Sequence, residues 1–163
     1  MIYDAVDDAL KRMKKISGRK AIVLFSDGEG SGIFTTAKRN FRDAEEQDVL
    51  IYTVQFTTLP AEPPRIVNRK GYLKETERAN NYMRDLAQKT GGHYYRVENL
   101  SNLDKAFGVV AEELRRQYSL GYYPKKRLEA GQRRQIKVKV RLPNLAARAR
   151  DSYLVGTPQK PHL

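Results

Sequence analysis

The sequence predicts an α/β domain of three layers, a mainly parallel sheet between helices, followed by a small C-terminal antiparallel β extension. Three observations predict it. Short apolar runs, Ala21 to Phe25 and Val49 to Phe56, alternate with stretches of helical period. The order helix, strand, helix, strand, helix, strand, helix up to residue 118 calls for parallel strands joined by right-handed crossovers. After Tyr118 the period changes: Ile136, Val138, Val140 and Leu142 alternate with Lys137, Lys139 and Arg141, the pattern of a half-exposed strand.

Taken in order, Ile2, Val6, Leu10 and Met13 repeat at helical spacing, with Gly18 placed to stop a helix over 2–16. Ala21 to Phe25 are too few for a helix and mostly branched or aromatic, so they read as a strand covered on both faces. Residues 33–48 are expected as a helix with Phe34, Ala37, Phe41 and Ala44 on one side, before a second strand over 49–56. A long connection, roughly 57–75, carries Pro60, Pro63, Pro64, Arg69 and Lys70 and exceeds the ~12–15 residues usual for structureless loops. A helix over 76–90 ends at Gly91-Gly92, His93 to Val97 form a short strand, and Ser101-Asn-Leu-Asp104 reads as a capping box. The helix it opens should bury Leu103, Phe107, Val110, Ala111, Leu114 and Tyr118. Strands are then expected at 118–123, 135–142 and about 148–155. The expected division is an α/β core at 1–117, the extension at 118–156 and a disordered tail at 157–163.

The chain has 163 residues, 40% apolar content and a formal charge of +12, enough for one domain with a real core. From Arg115 to Arg150 there are twelve Lys or Arg against the single acid Glu129, so the basic character belongs to the C-terminal quarter. The absence of cysteine excludes disulfides and thiolate metal sites and leaves the compartment open. No apolar run approaches the ~18 residues of a membrane span, and the N-terminus lacks a signal-peptide core.

Chemistry is expected first at the end of the strand 21–25. Asp27 leaves that strand at its carboxyl end, where open parallel sheets place ligands. Ser26-Asp-Gly-Glu-Gly-Ser-Gly32 and the 57–75 loop leave from the same edge, so Ser31, Arg69 and Lys70 join Asp27 on a binding rim. Ser26, Asp27, Glu29 and Ser31 are hard oxygen donors suited to Mg²⁺ or Ca²⁺, though a helix cap or Gly turn uses the same residues. The second candidate is the basic block: Lys125, Lys126, Arg127, Arg133, Arg134, Lys137, Lys139, Arg141, Arg148 and Arg150, with Tyr118, Tyr122, Tyr123 and Tyr153 nearby. It suits a polyanion surface, yet charge runs on strands ordinarily serve as solvated faces, and no RNA- or DNA-binding motif accompanies this one. His93 and His162 have no ligand partners near them in sequence, and no Lys-Ser/Thr follows Gly28, Gly30 and Gly32 at phosphate-loop spacing. No motif supplies a base for Ser26 or Ser31, which leaves a hydrolase the weakest reading.

Several of these segments, taken together, resemble a known family. Gly18-Arg-Lys-Ala-Ile-Val-Leu-Phe-Ser-Asp-Gly28, Val49-Leu-Ile-Tyr-Thr-Val54 and Leu86-Ala-Gln-Lys-Thr-Gly-Gly-His-Tyr-Tyr95 look like the second half of a von Willebrand factor A domain. Glu112-Glu-Leu-Arg-Arg-Gln-Tyr-Ser-Leu-Gly-Tyr-Tyr-Pro124, Arg133-Arg-Gln-Ile-Lys-Val-Lys-Val140 and Ala149-Arg-Asp-Ser-Tyr153 resemble, more narrowly, the bacterial, acidobacterial-type relatives.

The resemblance implies a Rossmann-like, non-enzymatic protein-binding domain, exported or envelope-associated, with a metal ion-dependent adhesion site for Mg²⁺ or Mn²⁺. Of that site only the Asp of Ser-Asp-Gly carries over, onto Asp27, with Ser26 and Glu29 as weaker candidates. The family's Asp-x-Ser-x-Ser run occurs nowhere in the chain. The expectation is therefore an N-terminally truncated domain with a weak or absent metal site. Its open sheet is expected to be completed by dimerisation, another chain or a missing segment.

Overall fold

The computed structural model describes residues 2–28, 34–56, 68–126, 129–145 and 147–155. Helix α1 (Ile2–Met13) leads to β1 (Lys20–Ser26), α2 (Ala37–Glu46), β2 (Val49–Phe56), α3 (Arg69–Thr90), β3 (Tyr94–Val97) and α4 (Leu100–Arg115). A hairpin-like pair, β4 (Arg133–Gln135) and β5 (Ser152–Leu154), follows. The strands β1, β2 and β3 form one parallel sheet in that order, and β4 pairs antiparallel with β5. The chain is thus α/β with a small antiparallel extension.

Register divides the sheet into two faces. Ile22 lies beside Ile51, and Leu24 beside Thr53 and Tyr94. This face receives α1, α2 and α3, whose Ile2, Val6, Leu10, Ala44, Tyr82, Met83 and Leu86 complete the main core. Truncating a side chain as buried as Leu10 or Met83 to Ala costs about 2–5 kcal/mol. Inside this layer Asn40 donates to Tyr3 O at 2.9 Å and to Tyr82 Oη at 2.8 Å. Burial pushes the Tyr82 hydroxyl pKa well above its usual value.

Among the described helices α4 covers the opposite face, through Leu103 and Ala106 against Val54, Phe56, Tyr95 and Val97. Here the structure corrects the sequence. β2 is the strand buried on both faces, whereas no residue of β1 is fully buried and Val23 and Phe25 are 39% and 49% exposed. The reason is position: β1 is an edge strand, and α4 packs over β2 and β3.

Other boundaries move for local reasons. α3 begins at Arg69, where the Asn68 side chain accepts from Gly71 N, so the expected connection is shorter than its composition suggests. It ends at Gly91, whose φ of 84° suits glycine. Gly92 approaches β2 so closely that a Cβ would lie 2.0 Å from Ile51 O. α4 is capped by Asn99, which accepts from Asn102 N, and not by Ser101. Its buried stripe runs through Ala106 and Val110, leaving Phe107 and Ala111 exposed. Phe34 lies outside α2 and is also exposed.

The extension is smaller than the alternation predicts. Residues 118–123 and 136–142 are not strands, and Tyr118, Leu120, Tyr123 and Leu142 stand exposed. Alternation marks a surface that can be half-buried, but without a paired neighbour it does not make a strand. The tail expected at 157–163 lies outside the described residues.

Candidate functional site

At the carboxyl end of β1 the Ser26-Asp27-Gly28 turn is built as expected. Ser26 Oγ donates to Asp27 Oδ1 at 3.3 Å and accepts from Gly28 N at 3.1 Å. Gly28 is buried at φ 83°, where a Cβ would meet Gln55 Nε2 at 3.0 Å and Ala79 Cβ at 3.2 Å. Gln55 Nε2 donates to the Asp27 carbonyl at 2.6 Å, and Tyr94 Oη donates to Gln55 Oε1 at 2.5 Å. This relay across all three strands fixes the turn and leaves the Asp27 side chain exposed. Neither Gln55 nor Tyr94 carries a sequence signal for the role, because a buried glutamine in a strand is visible only once its neighbours are placed.

Asp27 offers one carboxylate, Ser26 is engaged within the turn, and no cluster of three or more His, Asp or Glu capable of holding a metal occurs among the described residues. Glu29 and Ser31 lie outside the described residues. Lys70 is exposed in the first turn of α3, which Arg69 opens. The helix meets Gly28 at Ala79, nine residues on, so its start lies about 13 Å beyond the turn along the helix axis.

The outer edge of β1 is a second feature of this region. Thr53 N donates to His93 O at 3.0 Å, so the Thr53 backbone groups point toward β3. Backbone direction alternates along a strand, and Tyr52 and Val54 therefore point toward β1. Their register with Val23 and Phe25 means that they bond Ile22, Leu24 and Ser26. Ala21, Val23 and Phe25 accordingly direct N–H and C=O toward the outer edge, which no described strand pairs. The same three side chains lie on the α4 face. Phe25 sits 6.2 Å from the Phe56 ring and 6.3 Å from that of Phe107, itself 39% exposed.

The basic block divides. Lys125, Lys126 and Arg134 line a cavity of about 230 Å³ with Tyr122, Pro124 and Tyr153. The two tyrosine rings meet edge to face at 6.4 Å with their hydroxyls 2.8 Å apart. That hydrogen bond raises the Tyr122 pKa above its usual value. Arg133 is committed elsewhere: it forms a bidentate pair with buried Glu45 at 2.9 and 2.7 Å and donates to Ser152 at 2.8 Å. It therefore fastens β4 and β5 to α2. Lys137, Lys139 and Arg141 are exposed on an irregular segment, apart from the cavity lining. His93 packs against Tyr95 with ring centroids 4.4 Å apart and planes tilted by 42°, and burial followed by the nearby Arg148 charge lowers its pKa.

No family model matches the chain, and no curated protein matches it. Among solved structures it is similar to an uncharacterized membrane spanning protein from Vibrio fischeri, at 16% identity and a TM-score of 0.45, over 64% of this chain and 52% of that one. It is also similar to the conserved hypothetical protein BatB from Bacteroides thetaiotaomicron, at 17% identity and a TM-score of 0.43, over 69% of this chain and 60% of that one. The chain thus spans between half and two thirds of the length of these two structures. No helix among the described residues is long and apolar enough to cross a membrane.

Proposed function

We propose that this chain is a non-enzymatic, von Willebrand factor A-like domain that binds polypeptide along β1 and the carboxyl rim beside it. One observation carries the reading: β1 is an apolar strand whose outer backbone edge is unpaired among the described residues and whose Val23 and Phe25, on the α4 side, are only partly covered. An edge of that kind, left open, is a template for another strand. The finer reading, as the later part of such a domain, rests on the ordered motifs from Gly18 to Tyr153. Asp27 stands at the rim end of the same strand, where a ligand from a partner would be needed to hold Mg²⁺ or Mn²⁺. Export to the cell envelope belongs to the same proposal.

The experiment is selection from a library of extended nonapeptides, followed by fluorescence anisotropy with purified chain. At least one apolar peptide should bind saturably, and Phe25→Glu should weaken it by about tenfold or more, through one lost buried aromatic. Absence of saturable binding, or equal binding by Phe25→Glu, contradicts the proposal.

The Tyr122–Tyr153 cavity favours a second reading, recognition of a polyanion through Lys125, Lys126 and Arg134. Heparin affinity should then fall steeply with salt and fall further on Arg134→Glu, while Lys137→Glu and Lys139→Glu act only through long-range charge.

A further inference from the structure

We infer that the occupant of the β1 edge is β1 of a second copy of this chain, paired antiparallel about a two-fold axis at Val23. The inference rests on the strand-binding reading above and names its partner. Three features of the strand fit one register. The residues whose backbone groups face outward, Ala21, Val23 and Phe25, are symmetric about Val23, so Val23 meets the partner's Val23 and Ala21 meets the partner's Phe25 as hydrogen-bonded pairs. Directly opposed residues of an antiparallel pair share a face. The exposed Val23, Phe25 and Phe107 of both copies are thereby joined into one apolar surface on the α4 side.

Charge selects the same arrangement. Arg19 and Lys20 precede the strand core, while Ser26 and Asp27 follow it. Antiparallel pairing at Val23 sets Lys20 opposite the partner's Ser26 and brings Arg19, just before the strand, to the end where the partner's Asp27 follows it, twice over. A parallel pairing in register would instead place Arg19 beside Arg19 of the partner subunit. Arg19 and Asp27 are exposed, and the contact Arg19 makes, from Nη1 to Gln117 O at 3.1 Å, leaves the guanidinium with further donors.

The chain contains no cysteine, which permits a direct test. Hydrogen-bonded antiparallel partners have Cα atoms about 5.5 Å apart, within the range a disulfide spans. Val23→Cys should oxidise to a covalent dimer under mild conditions, and Lys14→Cys, exposed beyond α1, should not. Sedimentation equilibrium provides the second arm. Arg19→Asp and Asp27→Arg should each weaken self-association by about tenfold or more, because each turns two attractive contacts repulsive. The double variant should restore it. A chain that stays monomeric at every concentration, a Val23→Cys variant that oxidises no faster than Lys14→Cys, or a double variant as weak as the singles overturns the inference. If the selected nonapeptides still bind a monomeric chain, strand binding survives and only the second copy is excluded. Loss of both removes the parent reading too.

Discussion

Arg133→Ala measures what fastens the antiparallel extension to the α/β core. The guanidinium holds both carboxylate oxygens of Glu45, at 2.9 and 2.7 Å, and reaches Ser152 on the neighbouring strand. The Glu45 side chain is 1% exposed, against 46% for Arg133. Stripping the partner from a fully buried ion costs about 3–5 kcal/mol, but the half-exposed arginine leaves a path for water, so about 2–3 kcal/mol is expected here. For a domain of this size that corresponds to a fall in Tm of about 5–10 °C, read by circular dichroism at neutral pH. Arg134→Ala, next along the strand but outside this pair, should shift Tm by less than about 2 °C. Equal shifts for the two variants would refute the reasoning, because Glu45 would then need no buried partner.

Three further outcomes follow from the packing and the rim. Gly92→Ala should lose more than about 3 kcal/mol, since its Cβ would overlap the Ile51 carbonyl, whereas Gly108→Ala, with open space around it in α4, should gain about 0.5–1 kcal/mol in urea unfolding. The His93 pKa is lowered on folding, so the unfolded chain binds the extra proton first; stability should decline as pH falls through and below the unfolded value near ~6.5, and His93→Gln should flatten that decline in denaturant titrations across pH. If Asp27 holds a divalent ion, Mg²⁺ or Mn²⁺ should raise Tm and Asp27→Ala should abolish the rise; no response from the parent chain would remove the metal from the proposal.

Much of the fold is legible in the sequence where a local pattern has a local cause. The α1 repeat of Ile2, Val6 and Leu10 names the buried face directly, and the abrupt change from Phe25 to Ser26-Asp27-Gly28 marks the end of β1 and its turn. The sequence fails where the cause is a neighbour. Ala21 to Phe25 are as apolar as Leu50 to Val54, and only strand order makes the second run central and the first an exposed edge. Glu45 sits in a charged helix and reads as solvated, yet Arg133, 88 residues away, draws it inside. Likewise no described strand pairs with the alternating segment 136–142, and the residues remain irregular. The candidate site is divided in the same way: Asp27 is visible beforehand, whereas Gln55 and Tyr94, which hold its turn, are not.

Amide hydrogen exchange of β1 in dilute solution tests the open edge most directly. Protection should alternate: Ile22, Leu24 and Ser26, bonded to β2, are protected, while Ala21, Val23 and Phe25 exchange quickly and become protected only when a strand is added. Uniform protection along the strand in the dilute chain would contradict it, because the edge would already be covered.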